Sequence, residues 1–234
     1  MPTHDTFPLE LDAVTCVFGT GARQVTALDS VSLALAPGEL IAVMGPSGSG
    51  KSTLLNVAGL LQKPTSGRVL IDGADAADMS AKKTAELRRR HVGFVFQNFN
   101  LVSTLTVAEN VTLPLELDGM SPGECAELAD AALAEVGLEG CGPRYPEEIS
   151  GGQAQRVAIA RALIGPRAVL LADEPTGALD TATGDEIMNV LRARIDAGAS
   201  GILVTHEPRF AAYADRVLMV RDGRLSGERT TKGA

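Results

Sequence analysis

Apolar and polar residues alternate along LELDAVTCVF (9–18), the two-residue period of a strand with one buried face. VTALDSVSLAL (25–35) repeats the period and stops at a Pro37-Gly38 turn. ELIAVM then breaks it with a short unbroken apolar run, the pattern of a strand buried on both faces, and leads into a glycine-rich loop. STLLNVAGLL continues at helical spacing and ends before Lys63-Pro64. GRVLIDG (67–73) predicts a strand closed by an Asp-Gly turn, KKTAELRRRH a basic helix with a solvated face, and VGFVFQ (92–97) another buried strand.

From about 101 to 165 the pattern turns helical. Ser121, Pro122 and Glu124 form a helix start: an N-cap, a proline at the first helical position and a glutamate three residues after the cap. Leu128, Ala132, Leu133 and Val136 supply its apolar stripe, and Gly137 a stop. Past Gly165-Pro166, AVLLAD reads as a buried strand, DEIMNVLRARIDAG as a helix and GILVTH as a buried strand. RVLMV and RL flank an Arg221-Asp222-Gly223-Arg224 hairpin signal, and SGERTTKGA (226–234) has the composition of a frayed tail. Strands alternating with helices imply an α/β fold around a mostly parallel sheet, with the helical middle inserted into it.

Composition changes this picture little. Of 234 residues, 45% are hydrophobic and 3% aromatic, so the core is aliphatic. The charge, 21 − 29 = −8, argues against a broad nucleic-acid surface. Cys16, Cys125 and Cys141 show no metal-binding spacing and read as free thiols. MPTHDTFPLELD lacks the basic and apolar regions of a secretory leader, and no run approaches ~18 apolar residues. The expectation is a cytosolic protein whose membrane role, if any, is borrowed from a partner.

The candidate chemistry begins with GPSGSGKST: Gly45, Pro46, Ser47, Gly48, Ser49, Gly50, Lys51, Ser52 and Thr53. Between a strand and a helix, its glycines let backbone N–H groups turn inward around phosphate oxygens, and the helix N-terminus attracts anions. Lys51 is placed to reach the β- and γ-phosphates of a nucleoside triphosphate and Ser52 to hold Mg²⁺. AVLLADE ends a strand with two carboxylates, suiting Asp173 to Mg²⁺ through water and Glu174 to orienting or deprotonating the attacking water. Gln97 and His206 also end apolar strands, and ligands of parallel α/β sheets gather at carboxyl ends. There Gln97 would touch Mg²⁺ or the lytic water and His206 the γ-phosphate. ISGGQ (149–153) has two readings: a capping box between Ser150 and Gln153, or a second anion-binding turn presenting Ser150, Gly151 and Gly152.

GPSGSGKST, Gln97, ISGGQ, LLADEPTGALD and His206, in this order and at these intervals, resemble the ATP-binding subunit of ABC transporters over about residues 9–225. GPSGSGKSTLLN, VGFVFQNFNL, ENVTLPL and ADEPTGALD resemble the subfamily that serves macrolide exporters and lipoprotein-releasing systems, the MacB and LolD type. Ile149 and Ala178 stand where Leu and Asn are common, and neither change removes a nucleotide contact.

The resemblance implies a P-loop NTPase of ABC type: a RecA-like core with an antiparallel β subdomain and a helical subdomain at about 101–165. It implies that Phe18 stacks on adenine, that Asp180 lies at a dimer interface, and that the helical part faces transmembrane permease subunits. It further implies Mg-ATP bound in a head-to-tail homodimer, in which Ser150, Gly151, Gly152 and Gln153 cap the ATP held by the partner's Lys51. The expected place is the cytoplasmic face of a bacterial membrane, reached through the permease and without nucleic-acid contact. The expected work is export or extraction of a substrate. The competing expectation is an ABC ATPase that drives a non-transporting regulator of cell-wall remodelling. Chromosome-type members need a long coiled coil and translation-type members two cassettes, and the chain has neither. It also lacks the N-K-x-D motif of a GTPase.

Overall fold

The computed structural model describes residues 6–230. Strands β1 (Leu9–Phe18) and β2 (Val25–Leu35) pair antiparallel. β3 (Leu40–Met44) runs into the glycine loop and α1 (Lys51–Ala58). β4 (Ser66–Ile71) and the short β5 (Ala74–Asp75) complete a four-stranded antiparallel sheet in the order β2-β1-β4-β5. After α2 (Ala81–His91) and β6 (Val92–Val95) come three helices that pack on one another: α3 (Val107–Glu116), α4 (Pro122–Glu135) and α5 (Gly151–Leu163). β7 (Val169–Asp173), α6 (Thr181–Asp196), β8 (Ser200–Val204), α7 (Pro208–Ala211), β9 (Arg216–Arg221) and β10 (Arg224–Thr230) follow.

The second sheet has the order β10-β9-β3-β8-β7-β6, parallel from β9 to β6 and antiparallel only at β10. Its central strands are apolar throughout because both faces are covered. Alternate residues divide between two clusters. Ile41, Val43, Leu171, Ile202 and Val204 pack with α1 and the antiparallel sheet, whereas Ala42, Leu170, Ala172 and Leu203 pack with the helices on the other face. Gly93 on β6 is where this second layer comes closest, since a Cβ there would lie 2.0 Å from the Ala162 carbonyl oxygen of α5.

Local chemistry sets the helix starts. Thr106 with Glu109, Ser121 with Glu124, and Ser150 with Gln153 each form a two-way capping box. Three sequence expectations need correction. Leu128 is 40% exposed, and the buried stripe of α4 consists of Cys125, Ala129, Ala132 and Leu133, continued by Val136. β6 stops at Val95, leaving Gln97 in the following turn. Residues 226–230 are not tail but strand, because β10 pairs with β9 through Thr230, opposite Arg216. Residues 1–5, part of the stretch read for a leader, and 231–234, the rest of the expected tail, lie outside the described residues. The three cysteines are free and buried, and desolvation raises the thiols of Cys16 and Cys125. Among the described residues no helix is long and apolar enough to cross a membrane.

Candidate functional site

β3, β8, β7 and β6 are parallel neighbours, so their carboxyl ends share one edge of the sheet. A cavity of about 410 Å³ opens there. It gathers Gly45, Ser47, Gly48, Gly50, Lys51, Ser52 and Thr53 from the loop and α1, with Gln97, Asp173, Glu174 and His206 from the other strand ends. A larger cleft, of about 680 Å³, lies between α7 and β10 against Met44, Val217 and Met219, and is lined also by Glu228, Arg229 and Thr230.

The loop is held by close backbone contacts. Gly50 precedes α1 at φ 108°, and a Cβ on it would stand 2.3 Å from the Ala27 carbonyl oxygen. Gly45 is equally confined, its would-be Cβ 2.1 Å from the Val220 carbonyl oxygen. Lys51 Nζ lies within this curve, donating to the carbonyl oxygens of Gly45 and Pro46 at 2.8 Å each. Main-chain carbonyls, not carboxylates, are its acceptors, which leaves the ammonium available to an anion. Ser49 is 4% exposed and does not line the cavity.

Ser52 is hydrogen-bonded to Asp173. Burial raises the Asp173 carboxyl above its ordinary value, opposed by that hydrogen bond and by the charge on Lys51. Hydroxyl, carboxylate and the nearby Gln97 amide form a hard oxygen-donor set that fits Mg²⁺. Among the described residues no group of three His, Cys, Asp or Glu sits together as an all-protein metal cage. An ion here would therefore draw most of its shell from phosphate and water, as Mg²⁺ does at triphosphate sites.

Glu174 follows β7 in the left-handed region, at φ 48°, with its N–H donating to the Val204 carbonyl at 3.0 Å. For a non-glycine residue this conformation costs roughly 1–2 kcal/mol. His206 Nδ1 lies 2.8 Å from Glu174 Oε1. Hydrogen bonding and then charge from Glu174 raise the imidazole above its usual 6.5. The buried Thr205 steadies the turn, its Oγ1 accepting from the Glu207 N–H at 3.1 Å.

Other expected site residues do not line this cavity. Phe18 ends β1 with 45% exposure. Pro46 contributes only its carbonyl, to Lys51. Ser150 caps α5: its Oγ accepts from the Gln153 N–H at 3.2 Å, and its own N–H donates to Gln153 Oε1 at 2.9 Å. Ser150 and Gly151 are exposed, Gly152 partly so. Asp180 is the N-cap of α6 and accepts from Thr183. Ala27 and Val204, which do line the cavity, carry no chemical signal in the sequence and were missed.

A second groove, of about 390 Å³, runs between the sheet and the helices. Leu61, Phe94, Phe96, Leu113 and Leu117 give it an apolar floor, and Arg88, Arg89, Arg161 and Arg167 line it with cations. Arg161 on α5 donates to the carbonyls of Phe99 and Asn100 at 2.6 and 2.7 Å, which ties the segment just after Gln97 to the helix that begins at Ser150.

Comparison with known proteins agrees with this geometry. The family model described as "ABC transporter" matches residues 28–177. The macrolide export ATP-binding/permease protein MacB of Chromobacterium violaceum is 46% identical over 217 residues, 93% of this chain and 34% of that protein. MacB of Escherichia coli K12 is 45% identical over the same shares of both chains. The chain thus spans about a third of the length of these relatives. Among solved structures, the ATP-binding cassette MJ0796, a dimer in a post-hydrolysis state bound to ADP and Pi, superposes with a TM-score of 0.92 at 41% identity, covering 97% of this chain and all of that one.

Proposed function

Because this chain belongs to the ABC transporter ATPase family, we propose that it binds Mg-ATP in the cavity at the strand ends and hydrolyses it to power a membrane-spanning permease. The observation that carries this reading is the meeting of Lys51, Ser52, Asp173, Gln97, Glu174 and His206 in one cavity, from four separate stretches of the chain.

The roles follow from position. Backbone N–H groups of 45–53 and the Lys51 ammonium bind the β- and γ-phosphates. Ser52 and Asp173, with Gln97 beside them, hold Mg²⁺, which when bound offsets charge building up on the phosphates. Glu174 lies beside the γ-phosphate position and orients the attacking water, accepting its proton. His206, held by Glu174, donates toward the γ-phosphate. Phe18, exposed at the end of β1, stacks on adenine.

The turn at Ser150, Gly151 and Gly152, exposed at its first two residues and not part of its own chain's cavity, supports a site shared by two copies. In a head-to-tail homodimer this turn and Gln153 cap the partner's ATP, with Asp180 near the interface. The dimer formed by the solved relative, with its ADP and Pi, points the same way. The apolar groove lined with arginines is the docking face for the permease, and the Arg161 tie connects it to Gln97 on one side and Ser150 on the other. Export at the cytoplasmic face of a bacterial membrane is the work this arrangement suits, in keeping with its similarity to macrolide export proteins.

The direct test is phosphate release by the purified chain. Turnover is expected to require Mg²⁺, to stop with EDTA, and to fall at least about 100-fold in Lys51→Ala. Turnover that survives both treatments contradicts the assignment.

A further inference from the structure

We propose that the turn between β9 and β10 is a brace for the phosphate loop, and that Gly223 is a positioning residue for nucleotide binding. The proposal rests on the reading of residues 45–53 as a triphosphate site.

Arg221 pairs with Arg224, and the two residues between them, Asp222 and Gly223, have φ 50° and 75°. Positive φ at both positions is the hairpin geometry that matches strand twist, and it aims the peptide groups of the turn sideways. Here both groups of Gly223 are used. Its N–H donates to the Ser49 carbonyl of the phosphate loop at 3.0 Å, and its carbonyl accepts from the Asp29 N–H of β2 at 2.9 Å. Arg224 adds a side-chain tie to the same strand, with Nε and Nη2 at 2.8 and 2.6 Å from Asp29 Oδ2.

The phosphate loop is thereby held at three points. Gly45 rests on the Val220 carbonyl at the end of β9, Gly50 on the Ala27 carbonyl of β2, and Ser49 hangs from the turn itself. The Ala27 carbonyl serves twice, because a Cβ on Gly223 would stand 2.9 Å from it. Any larger residue at 223 must push the turn away from β2 and draw its N–H from Ser49.

A loop ordered in advance binds phosphate without the entropy cost of ordering its amides at that moment. Glu174 follows β7 and His206 lies just past the end of β8, so both are outside the brace. Loosening the turn therefore weakens binding and spares the chemical step.

The test compares Gly223→Ala with Gly227→Ala, since Gly227 lies on the adjoining β10 with nothing within 4 Å of its would-be Cβ. Gly223→Ala is expected to raise KM for ATP about tenfold while kcat stays within about twofold. Gly227→Ala is expected to match the wild type. A general loss of folded enzyme would instead lower kcat at constant KM, and that result, or a wild-type KM in folded Gly223→Ala, overturns the brace. If Gly223→Ala does not fold, Arg224→Gln combined with Asp29→Asn removes the side-chain tie alone, and KM should rise about threefold with the melting temperature little changed. An unchanged KM there overturns the proposal equally. Wild-type protein that neither binds nor hydrolyses ATP overturns the triphosphate reading, and the brace with it.

Discussion

Glu174 and His206 meet because two neighbouring parallel strands end side by side and the residue after β7 takes a left-handed turn. Pairing raises the imidazole above 6.5, so the pair and the stability it adds are complete below that value and vanish as pH climbs through the raised one. In nucleotide-free protein, an NMR titration of His206 should place its pKa above 6.5, and Glu174→Gln should return it toward that value. An identical titration in both proteins would remove the assigned cause. Asp173 carries the opposite burden. Its folded pKa is raised above 3.8, so folding disfavours the ionised form, a cost present above the raised value and absent below the ordinary one. Asp173→Asn should therefore melt a few degrees higher than wild type at pH 7, lose that gain near pH 3, and lose at least about 100-fold in Mg-dependent turnover. A lower melting temperature at pH 7 contradicts this account of the site.

At the next scale up, α5 accommodates both readings of ISGGQ. In one chain the capping box is fully made, Ser150 and Gln153 each satisfying the other's backbone. That bonding leaves the outward face of Ser150 and Gly151 uncovered, so cap and anion-binding turn are compatible. Ser150→Arg should cost about 1 kcal/mol through the lost cap, measurable as a melting shift of roughly 2–4 °C. It should leave ATP binding by the single chain within about twofold of wild type yet abolish hydrolysis, which needs the partner's turn. Turnover at the wild-type rate would reduce the motif to a helix cap. The turn after Gln97 is joined to the same helix, since Arg161 donates to the carbonyls of Phe99 and Asn100.

For the molecule as a whole, the cavity of one chain holds the loop, the carboxylates and His206, while the exposed turn at Ser150 belongs to none of its own walls. On the proposed reading, a completed site takes two copies, with bound ATP between them. Glu174→Gln keeps the carboxylate's shape, loses its basicity, and should bind ATP with turnover reduced at least about 100-fold. Light scattering after addition of ATP should give twice the mass of the nucleotide-free protein. A monomer at saturating ATP would contradict the shared site.

Local signals made much of this legible. Period-two alternation marked β1 and β2, and Ser121-Pro122-Glu124 the start of α4. Asp222-Gly223 marked a hairpin, and glycines followed by Lys51 a phosphate loop, because each reflects forces between residues a few positions apart. Most of the elements, the order of the motifs and the chemistry of their side chains were thus set locally. Long-range packing settled which apolar residues were covered, leaving Leu128 in solvent, and brought residues through Thr230 into the sheet. It also set the left-handed turn of Glu174 and hung the phosphate loop from Gly223. These depend on a carbonyl or strand edge contributed by a remote segment, Val204 for Glu174 and Ala27 for Gly50 and Gly223, and no local spacing encodes such a meeting.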